Sequence, residues 1–164
     1  MPEMTIEAAP EREEGYKLAQ QSIKAVLEGE TNCIAKMATL VSILAQTFPD
    51  RYFWTGFYIL DDTRGDELVV GPYQGTLGCL RIKFGRGVCG IAAESGKTQL
   101  VADVHSHDNH IACDGNTMSE IVVPVYDAGG SLIAVFDVDS TNLADFNETD
   151  KLWLEAIMRD TFSG

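Results

Sequence analysis

Apolar positions along the 164-residue chain change their spacing partway along, and the changes divide it into helical and extended stretches. Tyr16, Ala19, Ile23, Val26 and Leu27 recur at three and four residues, the period of one helix face, and Gly29 closes the stretch. Thr31 and Asn32 offer cap oxygens to a second helix. Ile34, Ala38, Val41, Leu44, Ala45 and Phe48 form its inner side, and Pro49 ends it. From residue 52 the texture turns aromatic and β-branched. Residues 52–60 predict a strand, 61–66 a turn and 67–71 the returning strand of a hairpin. Residues 80–84 alternate as another strand, 88–95 predict a short helix stopped by Gly96, and 98–101 are again extended. A second hairpin follows over 120–126 and 131–139, and Asn147 to Asp150 start a helix that leads into Trp153, Ala156 and Ile157. Helices, a mostly antiparallel sheet and a closing helix make an α+β layered domain. Residues 1–14, polar and acidic with Pro2 and Pro10, read as a loose lead-in to one domain over 15–164.

Composition narrows the function. The hydrophobic share of 45% is that of a globular chain, and a net charge of −13 opposes a nucleic-acid or anionic-membrane partner. No apolar run reaches bilayer length, and the N-terminus has neither the basic region nor the apolar core of a secretory signal. The expected location is cytoplasmic. There Cys33, Cys79, Cys89 and Cys113 read as catalytic, redox or metal-binding rather than as staples. Cys33, in the first turn of its helix, reads as a small packing residue.

Residues 85–90 fit G-x-G-x-x-G, but too few residues separate them from the next strand for a parallel crossover, so they predict a tight strand-to-helix turn. That turn brings Cys89 close to a helix N-terminus, which favours a thiolate; a reactive and a buried inert thiol both remain open. The polar loop 103–118 holds His105, His107, His110 and Cys113. As H-x-H-x2-H-x2-C it offers four metal donors but matches no common structural zinc pattern. The other reading is a nucleophilic Cys113 whose thiolate is favoured by His110 or loop amides. Strand alternation turns Val135, Asp137 and Asp139 to one face, with Glu120 on the neighbouring strand; crowded carboxyls of this kind raise one another's pKa. Trp54, Gly56 and Tyr58 share a face of the first strand, two aromatics flanking a slot for a small apolar or cationic group.

Taken in order, 54–58, 71–75, Cys79, 84–90, 99–101, 103–105, 110–114, 119–124 and 137–140 closely resemble the free methionine-(R)-sulfoxide reductases, which are single GAF-domain enzymes. The resemblance implies a GAF fold and thiol-dependent reduction of free methionine-(R)-sulfoxide. It implies Cys113 as nucleophile, Cys79 as its resolving partner, and Cys89 as a rival in either role. It further implies Glu120, Asp137 and Asp139 as acids around the sulfoxide and amino group, and Trp54 and Tyr58 as walls for the methyl end. A sulfenic acid on Cys113 would condense to a disulfide that external thioredoxin, ultimately supplied by NADPH, reduces; no metal or organic cofactor is called for. The competing reading is a non-catalytic GAF sensor of a small molecule. A homodimer is compatible with the sequence.

Overall fold

The computed structural model of the chain describes residues 11–107 and 113–164. Arg12–Val26 forms α1, with Tyr16, Ala19 and Ile23 on its buried side and Val26 exposed. This helix begins inside the stretch predicted as lead-in. Glu13 and Glu14 occupy its first turn, where the helix's positive end favours carboxylates, and Arg12 pairs with buried Asp150. Residues 1–10 of that stretch lie outside the described residues. Helix α2 (Cys33–Thr47) is capped by Asn32, whose side chain accepts from the Ala35 N–H at 2.9 Å. Its covered face is Met37, Leu40, Val41, Ile43 and Leu44, while Ile34 and Ala38 are exposed. Cys33 is exposed as well, so it is not the packing residue the sequence predicts. A helix apolar on most sides does not name its own inner face; the partner layer chooses it.

Strands β1 (Trp54–Leu60), β2 (Glu67–Gln74), β3 (Arg81–Lys83), β4 (Gln99–Val101), β5 (Ser119–Tyr126) and β6 (Leu132–Ser140) form one sheet. Their order is β3-β2-β1-β6-β5-β4, and every paired neighbour is antiparallel. The short α3 (Gly87–Ser95) lies between β3 and β4 in the chain, and α4 (Glu148–Met158) closes the domain. Alternation gives the sheet two different faces. Phe57, Phe136, Val138, Ile121 and Val123 pack under α1, α2 and α4 in the larger core. Trp54, Tyr58, Val122 and Val135 belong to the smaller cluster with Val88, Cys89 and Ala92 of α3.

One buried acid ties the helical layer together. Asp150 is fully covered; its carboxylate accepts from Tyr16 Oη at 2.5 Å, from Arg51 at 3.1 Å and from Arg12. It also accepts from the Asn147 N–H at 2.8 Å, closing a capping box at the start of α4. No helix among the described residues is long and apolar enough to cross a membrane.

Candidate active site

Strand register assembles the site. Trp54 pairs with Asp139, Gly56 with Asp137, and Tyr58 with Val135 across β1 and β6. On the other side of β6, Glu120 pairs with Asp139 and Val122 with Asp137. Directly opposed residues share a face, so Glu120, Asp137, Asp139, Trp54 and Tyr58 all point toward α3. They line a small cavity of about 30 Å³ together with Cys89, Gly78, Cys113 and Asp114. That is the room of a single water while the loops above it are joined.

The acids are crowded and dry. Glu120 and Asp137 are 6% and 4% exposed, and Asp139 is half-buried. Burial pushes all three carboxyls well above their ordinary range. Repulsion adds to this, from Asp137 on Glu120, from Asp139 on Asp137 and from Glu120 on Asp139. Glu120 is within hydrogen-bonding reach of both aspartates, and a shared proton among the three would relieve their repulsion. One buried oxygen on each of Asp137 and Asp139 has no hydrogen-bond partner. Such atoms are costly to bury unless a ligand satisfies them.

Cys89 occupies the first turn of α3, as predicted, but the helix's positive end does not govern it. The thiol is 4% exposed, hydrogen-bonded to Asp137, and raised well above its ordinary pKa by burial and then by the charges of Asp137, Glu120 and Asp139. Of the two forms left open by the sequence, the structure shows the buried one. The turn before it behaves as predicted: Gly85 and Gly87 have φ of 77° and 63°, and a Cβ on Gly90 would lie 2.4 Å from the Lys83 carbonyl.

Cys79 and Cys113 form a disulfide with Cα atoms 5.5 Å apart. Cys79 is carried by the loop between β2 and β3 and is half-buried, whereas Cys113 is exposed. The Cys79 loop lies on the aromatic face of β1. Trp54 Nε1 donates to the Thr76 carbonyl at 2.9 Å, and the Tyr58 hydroxyl is hydrogen-bonded to the backbone of Cys79. A Cβ on Gly78 would lie 2.8 Å from Trp54 Cζ2 and 3.0 Å from Tyr58 Oη, so only glycine lets the loop come this close. Thr76 Oγ1 donates to Asp114, joining the Cys79 loop to the residue after Cys113 and holding the Asp114 carboxyl below its usual range.

The space directly beside Gly56 is taken, although Trp54 and Tyr58 on either side of it line the cavity. A Cβ there would lie 2.3 Å from Tyr73 Cβ and 2.9 Å from the Trp54 ring, so Tyr73 of β2 already fills the space. Trp54 is stacked between Tyr73 and Tyr58, with centroids 5.0 and 5.5 Å away. Thr76, Gly78, Tyr73 and Asp114 went unpredicted as site-builders. Gly75 and Gly78 preceding a cysteine were the available sign of a close backbone approach. The four-donor metal reading of the loop loses its thiolate, because Cys113 is in the disulfide; His110 lies outside the described residues. Among the described residues, Cys89, Glu120 and Asp137 place ligand atoms within 4.8 Å of one another. Burial raises the pKa of all three, which favours their protonated, hydrogen-bond-donating forms over metal-binding anions.

The GAF domain family matches residues 37–161. A free methionine-R-sulfoxide reductase from Neisseria meningitidis, solved in complex with its substrate, is 43% identical with a TM-score of 0.88, over 97% of this chain and 92% of that one. The free methionine-R-sulfoxide reductase of Escherichia coli (strain K12) is 39% identical over 88% of this chain and 85% of its own length. That of Saccharomyces cerevisiae is 36% identical over 84% of this chain and 78% of its own. Fold, acid cluster, paired cysteines and these relatives agree, and the chain belongs to the GAF-domain family of free methionine-R-sulfoxide reductases.

Proposed function

We propose that this protein reduces free L-methionine-(R)-S-oxide to L-methionine. The observation that carries the reading is a cysteine pair, Cys79 and Cys113, joined over a pocket floored by buried, crowded carboxyls. A sulfoxide sulfur accepts a nucleophile only when its oxygen is protonated or strongly hydrogen-bonded, and Glu120, Asp137 and Asp139 share the protons for that step. The Cys113 thiolate attacks sulfur, the methionine S–O bond breaks, and the oxygen passes to Cys113 with a proton from the acids, leaving methionine and a Cys113 sulfenic acid. The Cys79 thiol condenses with it, releasing water and forming the disulfide. The carboxyl cluster, once ionised, also suits the ammonium of a free zwitterionic amino acid, with Trp54 and Tyr58 bounding the apolar end.

External thioredoxin, supplied by NADPH, returns the disulfide to two thiols, so the cycle draws on no bound metal or organic cofactor. The test is thioredoxin-coupled NADPH oxidation with free methionine-R-sulfoxide, its S epimer and a peptide-linked sulfoxide. Turnover of the free R epimer alone is the expected result. Absence of turnover with all three would leave the GAF sensor reading in its place.

A further inference from the structure

Leu77 and Leu80, on either side of Cys79, are 83% and 75% exposed, more than any other large apolar side chain among the described residues. Their loop is held down: Trp54 bonds Thr76, Gly78 lies against the Trp54 and Tyr58 rings, and Thr76 reaches across to Asp114. Leu77 also lines the mouth of the acid-lined cavity, yet most of its surface and that of Leu80 face solvent, an apolar area that another molecule can cover. Between them lies the Cys79 half of a disulfide whose other half, Cys113, is exposed. The neighbouring cation is already spent on an intramolecular pair, Arg81 to Asp61 at 2.6 Å.

We propose that Leu77 and Leu80 are the docking surface for a protein dithiol that reduces the Cys79–Cys113 disulfide, an inference that rests on the redox cycle proposed above. A small hydrophilic thiol gains nothing from the two leucines. A protein whose dithiol is ringed by apolar surface covers both while its thiolate reaches the disulfide. That thiolate attacks Cys113 Sγ, a mixed disulfide forms, and Cys79 leaves as a thiolate and takes up a proton. The partner's second thiol then attacks the mixed disulfide, frees Cys113, and leaves the partner oxidised by two electrons.

The test uses the oxidised protein without any sulfoxide and follows thiol release, so it reads disulfide reduction whether or not methionine sulfoxide is the substrate. Reduced thioredoxin and dithiothreitol are compared on the wild type, Leu80→Glu and Leu77→Glu/Leu80→Glu. The second-order rate with thioredoxin falls tenfold or more in the double variant, while the rate with dithiothreitol stays within twofold. Unchanged rates with thioredoxin would overturn the proposal. So would parallel losses with both reductants, which would mark a disturbed loop. So would conversion of a dimer to a monomer with the thioredoxin rate intact, which would make the patch a contact between copies.

Discussion

Trp54 Nε1 donates a 2.9 Å hydrogen bond to the carbonyl of Thr76, three residues before Cys79, and through it the sheet decides where the Cys79 thiol stands. The indole is fixed on both sides by Tyr58 and Tyr73, so it does not yield when the loop above is altered. Gly78→Ala would force its Cβ to within 2.8 Å of that ring and lift Cys79 away. Disulfide formation should slow by at least about tenfold, because small misplacements of reacting groups are expensive in rate. The Cys113 sulfenic acid should accumulate and be trapped by dimedone, with first-turnover methionine release unchanged. A normal rate of disulfide closure would show that the platform does not position Cys79.

The three thiols of the site should separate cleanly. Cys113→Ser abolishes turnover and melts with the reduced wild type rather than the oxidised one, since its side chain is exposed and its structural contribution is the cross-link to Cys79. Cys79→Ser releases one methionine per chain and then stalls, readable as a burst. Cys89→Ser still forms the Cys79–Cys113 disulfide, checked by mass spectrometry. Full activity in Cys113→Ser would move the nucleophile to Cys89.

Asp137 makes stability depend on pH in a stated direction. Its folded-state pKa is raised by burial and by Asp139, so the folded chain holds a proton the unfolded chain gives up. The stability it contributes is fully present below the unfolded carboxylate value of about 3.9 and is lost as pH rises through the folded value. Asp137→Asn, neutral at every pH, should therefore melt higher than the wild type at pH 8, with the gap closing toward pH 4. The same variant should lose activity by about 10²–10⁴-fold if the acid delivers a proton or an oriented hydrogen bond. A pH-independent difference in melting temperature would remove the argument.

Away from the site, Asp150→Ala leaves buried Tyr16 and half-buried Arg51 without their shared acceptor and removes half of a capping box. Breaking a buried pair from one side costs about 3–5 kcal/mol. The urea midpoint should fall accordingly with the slope unchanged, while activity per folded molecule is retained. Loss of activity at full stability would mean that the network reaches the pocket.

Much of this was legible along the chain. The strand alternation that groups Asp137 with Asp139, the hairpin that brings Glu120 beside them, and the glycine turn before Cys89 all follow from local periodicity and backbone chemistry. The motif series from 54 to 140 named the family. The inner face of α2 was not legible, because Ile34 and Ala38 fit a helical stripe as well as Met37 and Leu40 do. Nor was the state of Cys89, where the local cue of a helix N-terminus is outweighed by burial among three acids.

Taken by itself, the sequence determined which elements form and which side chains share a strand face, since both depend on residues within a few positions of each other. Only the tertiary structure decided that Cys79 rather than Cys89 meets Cys113, that Tyr73 fills the gap beside Gly56, and that Leu77 and Leu80 stay in solvent. Those outcomes depend on distances across the sheet, between loops separated by 34 residues in the case of the disulfide. Such distances are set by strand order and by which bulky ring occupies which space, and neither is a property of any one segment.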